Sequence, residues 1–479
     1  MEQRDIFLNI SPLDHRYYLS NKEVHEQLGL YLSEQATITY CLKVEVALAK
    51  SLLSYMDFPK DKQEKLKHQL DEALLKVKPE DVYKEEEKTQ HNIRALVNVL
   101  KQFVPDEAKP LVHLGATSVD ILDTAFSMRI RDAVRNVVLP MLTELGTILS
   151  DRTIEEAETP QVGRTHGQHA VPITFGFALA EYTSRIGKSV QRIDAKSKTL
   201  CGKLAGAVGA YNATSMITAD PEKLEESVLS MLDLSPSEHS TQLVEPEYLL
   251  ELLLEINTCF GIIANLADDL RNLQRSEIGE VREEFGKDQV GSSTMPQKRN
   301  PWNSEHVKSL WKAFFPRVMT FFMDQISEHQ RDLTNSASQR FIVEYVTGFS
   351  FAVKRMIKVL NSLRVVREKM QENLSFTGDM VLAEAAYILL ALGGEPDAHE
   401  KIRTASLESE KTGKRLSQVL QQNPETWKRL ETQFAKVMKG NAADFFSHPG
   451  KYTGIAAKKA KKTGEKYKKI MKEIRGGAI

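Results

Sequence analysis

Between Tyr248 and about Arg275 the chain has no proline and a single glycine, Gly261. Leu249, Leu253, Ile256, Phe260, Ile263, Leu270 and Leu273 recur there at roughly helical spacing, with other apolar residues between them. A run this long and this apolar satisfies its backbone as a helix and sheds water inside a bundle of other helices. Alternating β-branched runs are hard to find, whereas helical periods recur throughout. They predict helices over 21–56, 87–104, from the Thr117-Ser118 turn to about 157 with a kink at Pro140, and over about 174–200. Two more are expected from Ser304, as N-cap, to about Glu328 with an interruption at Pro316, and from about Ala337 to Leu363. From residue 373 the elements shorten, Gly378 and the Gly393-Gly394 pair appear, and a domain boundary is expected there.

Charge excludes some functions. Lys plus Arg is 64 against 65 for Asp plus Glu, so no global field draws the chain to nucleic acid or membrane. Cys41, Cys201 and Cys259 are scattered, which fits a reducing compartment and neither a disulfide framework nor a zinc site. With no apolar core in the first residues and no uncharged apolar run of membrane-spanning length, the expected location is the cytoplasm. The stretch 451–479 carries nine lysines and Arg475 against Glu465 and Glu473. It reads as a solvated helix face or a frayed end.

The polar clusters interrupt the helices. His91 stands near a helix start, where a histidine ordinarily caps or faces solvent. His113-Leu114-Gly115-Ala116-Thr117-Ser118-Val119-Asp120-Ile121-Leu122-Asp123-Thr124 opens the next helix. Thr117 or Ser118 can cap it and Asp120 suits its first turn, but capping does not account for His113, Asp123 or Thr124. A helix start ringed with hydroxyls is a ready anion site. Gly163-Arg164-Thr165-His166-Gly167-Gln168-His169, bounded by Pro172 and Gly176, reads as an irregular polar loop. The fourth cluster is Gly291-Ser292-Ser293-Thr294-Met295-Pro296-Gln297-Lys298-Arg299-Asn300-Pro301, a shaped loop with three hydroxyls and two adjacent cations. Such a loop suits a carboxylate or phosphate, and nearby positive charge eases proton loss from a serine.

That last run resembles the signature of the fumarase/aspartase superfamily, Gly-Ser-Ser-x-Met-Pro-x-Lys-x-Asn, at every fixed position. His113–Thr124 and Gly163–Gly176 resemble the superfamily's other two blocks. Within it the chain is most similar to the adenylosuccinate lyase family, through Ser11-Pro12-Leu13-Asp14-His15-Arg16-Tyr17, Gly163-Arg164-Thr165-His166, Gln330-Arg331-Asp332-Leu333-Thr334 and Tyr452-Thr453-Gly454. It departs from the family's common pattern at His91-Asn92, where His-Asp is frequent, and after Thr241-Gln242, where arginine and histidine often follow.

The resemblance implies an all-α, three-domain fold with a central long-helix bundle: 1–117, 118–372, and 373–479 with the basic tail. It implies a homotetramer with shared active sites, a small nucleotide substrate, no cofactor, no metal, and neither nucleic-acid nor membrane partners. The implied reaction is β-elimination of fumarate, with Ser292 as base and His166 as general acid oriented by Glu305. Lys298 and Asn300 would stabilise the charge that develops. His91, Thr117 and Ser118 would serve phosphate or carboxylate; Arg16, Tyr17, Gln242, Arg331 and Ser336 would complete substrate binding. The rivals are 3-carboxymuconate cycloisomerase, argininosuccinate lyase and a catalytically silent structural homologue.

Overall fold

The computed structural model describes residues 5–284 and 293–477; Gly291 and Ser292 of the signature run lie outside them. The N-terminal helices are α1 (Arg16–Ser20), α2 (Lys22–Leu32), α3 (Glu34–Leu52), α4 (Lys60–Lys76), α5 (Pro79–Thr89) and α6 (Asn92–Phe103). The long helices follow: α7 (Ser118–Ala133), α8 (Leu139–Glu155), α9 (Phe175–Ser197), the shorter α10 (Pro221–Ser230), α11 (Glu247–Leu273), α12 (Trp302–Phe314), α13 (Arg317–Met323) and α14 (Ile342–Asn361). Smaller helices α15 (Arg367–Phe376), α16 (Ala383–Leu392), α17 (Ala398–Thr412), α18 (Leu416–Gln421), α19 (Pro424–Val437) and α20 (Ala442–Ser447) precede a last long one, α21 (Ala456–Gly477). The strands among the described residues are short and form three two-stranded pairs: β1 (Pro160–Thr165) with β2 (Gln168–Thr174), β3 (Cys201–Gly202) with β4 (Ser235–Pro236), and β5 (Val281–Glu283) with β6 (Leu363–Val365).

Hydrophobic side chains bury in three main places. One cluster lies under α3–α6 and the first turns of α7; the largest joins α7–α9, α11, α12 and α14; the third gathers α15–α20. α11 is long and apolar enough to cross a membrane by length and composition, yet most of it is packed inside the central bundle.

Several helices depart from the expected spans for local reasons. The run 21–56 breaks at Ser33, whose hydroxyl accepts the Ala36 N–H at 3.2 Å. The orphan carbonyls at the end of α2 are met by the Arg129 guanidinium, which donates to Tyr31 and Leu32 at 2.9 Å. α7 and α8 run on through a π turn at Val134–Val138, which accommodates the N–H missing at Pro140. α13 ends at Met323 rather than near 328, and the turn before α14 is 3₁₀.

The basic tail also differs from expectation. α21 is not a frayed end: it packs along α8 and α9, with Ala460, Tyr467 and Met471 buried. Glycines make its seat. A methyl group at Gly187 would stand 2.1 Å from the Tyr467 ring, and one at Gly146 2.6 Å from the Met471 sulfur. Its lysines do face outward, and Lys461 and Lys468 pair with Glu158 and Asp151 on the bundle. Amphipathic spacing hides beneath the charge because lysines fill most of the outward positions.

Tyr467→Ala is therefore expected to lower unfolding free energy by about 3 kcal/mol, as for other buried aromatic truncations. Urea denaturation reads this; an unchanged midpoint would mean that α21 does not brace the bundle.

Candidate active site

The segment that looked like a loop is a β-hairpin. β1 and β2 pair antiparallel, with Thr165 opposite Gln168, so His166 and Gly167 form its two-residue turn. Both have positive φ, 53° and 74°, as a type I′ turn requires. A twist-matched turn with no alternating apolar flanks gives little strand signal, which explains the missed pairing. His166 stands exposed at the tip.

The base of this hairpin is locked by a residue no motif flagged. Glu280 is fully buried and accepts from Gln161 (2.7 Å), from Arg164 (2.6 and 3.2 Å) and from Asn373 (2.8 Å). A buried carboxylate so saturated with donors meets the hydrogen-bonding demand of burial and ties β1, the start of β5 and α15 together. Three residues on, buried Glu283 accepts from the backbone N–H and side chain of both Asn303 (3.2 and 2.9 Å) and Ser304 (2.9 and 2.6 Å). Ser304 is thus not the N-cap expected of it. α12 begins two residues earlier, and Glu283 supplies the negative charge at its N-terminus.

The signature residues Lys298 and Asn300 lead directly into that helix, and Glu305 lies exposed in its first turns. Gln274, just past α11, donates to the Arg299 carbonyl at 3.3 Å. Tyr17 reaches the same helix: its hydroxyl lies 2.9 Å from His306 Nε2 and its ring stacks on Phe351. Arg355 lies over the Trp302 ring and donates to Asn303 Oδ1 at 3.0 Å. Burial raises the Tyr17 pKa, with Arg355 and Arg16 pulling it back; burial and the same two cations lower that of His306. Arg16 itself is exposed.

A second group assembles elsewhere. His91 is the N-cap of α6, its Nδ1 accepting the Arg94 N–H at 3.2 Å. In the neutral ring the proton then sits on Nε2, which faces Ser118 Oγ at 3.4 Å. Thr117 occupies the N-cap of α7 and its N–H donates to Asp120 Oδ2 at 2.8 Å. The other Asp120 oxygen meets buried Lys203. The Gln242 N–H donates to the Gln330 carbonyl at 3.0 Å, which brings Gln242 beside Arg331. Arg331 has φ 91° and turns its guanidinium back onto the Gln325 carbonyl and Ser327, both at 2.9 Å. Ser336 lines a cavity of about 350 Å³ together with Asn92, Asp123 and Gln339. Asp123 accepts the Val244 N–H at 3.0 Å, and burial pushes its pKa up to about 6 against the pull of Lys203 and Gln339.

The two groups lie at opposite ends of the bundle. Asp123 and Val244 stand at the start of α11, Gln274 and Arg299 at its end. Its 27 residues span about 40 Å. One chain therefore brings together His91, Thr117, Ser118, Gln242, Arg331 and Ser336 at one end. At the other it gathers Tyr17, Lys298, Asn300 and Glu305, with the His166 hairpin anchored beside them through Glu280.

Known proteins share this chain's sequence and its fold. A lyase family model matches residues 15–313, and a model described as adenylosuccinate lyase C-terminal matches 327–440. The adenylosuccinate lyase of Pyrococcus abyssi is 33% identical over 425 residues, covering 88% of this chain and 92% of the relative. That of Archaeoglobus fulgidus is 30% identical, covering 97% of this chain and 100% of its own. Among solved structures, a fumarate lyase from Mesorhizobium sp. BNC1 superposes with a TM-score of 0.78 at 22% identity, over 93% of this chain and 97% of that one. The 3-carboxy-cis,cis-muconate lactonizing enzyme of Pseudomonas putida gives 0.77 at 24%, over 92% and 97%. These two likenesses concern the fold alone.

Asp123 yields a pH prediction. Its folded pKa, about 6, lies above the ordinary 3.8, so between those values the folded state binds the extra proton. Its contribution to stability is therefore lost as pH rises from about 4 to about 6. Asp123→Asn keeps an acceptor for Val244 and removes the titration. Thermal melts of the variant are expected to show a smaller fall across that window than wild type; parallel curves would show that Asp123 does not titrate there.

Proposed function

Because this chain belongs to the adenylosuccinate lyase family of the fumarase/aspartase superfamily, we propose a division of labour among its polar residues for that family's reaction. The enzyme is a carbon–nitrogen lyase that eliminates fumarate from adenylosuccinate, giving AMP, and from SAICAR, giving AICAR. The observation that carries this is the near end-to-end likeness, with the general lyase match followed by the family's own C-terminal match. An absorbance assay over a panel of fumarate-releasing substrates tests it: turnover is expected with the two succinylated nucleotides and not with argininosuccinate or 3-carboxymuconate.

The proton next to the substrate's carboxylate is a poor acid, so a base must act while that carboxylate takes up charge. Ser292 is the base. Lys298 and Asn300 stabilise the serine anion and the developing dianion. His166 donates the proton that the departing purine nitrogen needs, oriented by Glu305. At the far end of the bundle, His91, Thr117 and Ser118 take an anionic group of the substrate at the start of α7. Gln242, Arg331 and Ser336 contact the nucleotide from that end, Arg16 and Tyr17 from the other. The pathway is purine nucleotide synthesis, and the location is the cytoplasm, in keeping with three buried, unpaired cysteines.

No single copy joins both ends of a 40 Å helix around one small substrate. The reading therefore includes a homotetramer in which chains of opposed direction share each site. An exposed apolar face, Phe315, Met319, Phe322, Met323 and Ile326, runs along the end of α12 and α13 and supports such an assembly.

His166→Asn is expected to lower kcat roughly 10²-fold or more with little change in Tm, since asparagine tolerates the left-handed turn and replaces only the acid. Loss of fold together with activity would mean that the histidine is structural. Ser292→Ala should abolish turnover while substrate still binds. Mixing these two inactive variants under conditions of subunit exchange should restore activity, because some sites then hold both intact residues. Exchange without recovery counts against shared sites.

A further inference from the structure

β5 and β6 pair antiparallel with Arg282 directly opposite Arg364, and both side chains face solvent. Like charges in that position repel, and a two-stranded ribbon has no third strand to spread them. Arg275 and Arg299 line the same cleft, with Gln274 and Gln297 between, around a volume of about 590 Å³. Among the described residues two carboxylates border it: Glu283, whose oxygens are taken by Asn303 and Ser304, and the exposed Glu284.

We propose that this cleft is a binding site for a small anion carrying a phosphate group, separate from the substrate site. Guanidinium forks match phosphate oxygens in pairs, and a dianion between Arg282 and Arg364 turns their repulsion into attraction. The volume falls within the roughly 300–1,000 Å³ of small-molecule pockets, so a nucleoside monophosphate fits as well as free phosphate. Neither Arg282 nor Arg364 belongs to the catalytic set. Arg299 adjoins Lys298, so occupancy bears on the stretch that carries the signature lysine.

Calorimetric titration of the full chain with inorganic phosphate, in phosphate-free buffer, tests the site. Wild type is expected to bind an equivalent per chain that Arg282→Ser/Arg364→Ser loses or binds at least tenfold more weakly, while KM for adenylosuccinate changes less than twofold. A second readout guards against misfolding: without phosphate the double variant should melt no lower than wild type, and added phosphate should raise Tm more in wild type. Parallel titration with AMP separates the sources. Displacement of phosphate from the cleft by AMP at lower concentration assigns it to a nucleotide, and its absence assigns it to free phosphate. Equal stoichiometry and affinity in wild type and double variant would overturn the proposal, as would a double variant that no longer assembles like wild type, which would make this face a subunit contact. The binding readouts hold whatever substrate the enzyme turns over.

Discussion

A 27-residue helix spans about 40 Å, and the polar clusters singled out above lie toward its two ends. α11 is held by apolar contact along its length, with Leu252, Ile256, Phe260, Ile263 and Ala267 essentially without exposure. Packed helices of similar length then place all irregular backbone at the two ends of the bundle. Irregular backbone is where unpaired N–H groups, positive-φ turns and titratable side chains are tolerated, so both ends acquire chemistry and the middle acquires none. The helix length keeps the two groups of polar residues about 40 Å apart within one chain.

Order around the His166 hairpin and the start of α12 depends on buried carboxylates. Glu280 precedes the short strand β5 and Glu283 ends it, and each would be costly in a dry interior without full hydrogen bonding. Each accepts four hydrogen bonds, Glu280 from distant parts of the chain and Glu283 from the adjacent pair Asn303 and Ser304. Glu280 fixes the foot of the His166 hairpin; Glu283 fixes the first turn of α12, directly after Asn300. Two carboxylates three residues apart thus set the relative placement of the His166 turn and the residues that follow Asn300. Within β5, Arg282 is exposed while its strand neighbours Val281 and Glu283 are buried, because strand side chains alternate. The same pleat that buries Glu283 leaves an arginine pair on its outer surface.

Charge is segregated in the same manner. The chain is nearly neutral overall, yet α21 concentrates lysines on one side while Tyr467 and Met471 press the other into glycine-lined seats on α8 and α9. A helix can carry many cations and remain part of a core, provided the stripe beneath them is apolar.

Much of this was legible in the residues. The apolar period of 248–275 was sufficient for a bundle, because no other structure buries so long an apolar run in a soluble chain. The motif runs around His113, Gly163 and Gly291 pointed to the superfamily, and those at Ser11–Tyr17, Gly163–His166, Gln330–Thr334 and Tyr452–Gly454 to the family within it. What the sequence left undetermined is long-range partnership. The hairpin at His166 depends on a turn type, a backbone property that composition barely signals. The roles of Glu280 and Glu283 depend on donors as far as 119 residues away in the chain, and an isolated glutamate carries no mark of them. Ser304 had the local form of a cap and lost that position to Glu283, since a buried carboxylate outcompetes a hydroxyl for helix N–H groups. Local periodicity is written in neighbouring residues; the partner of a buried charge is decided only when the helices pack.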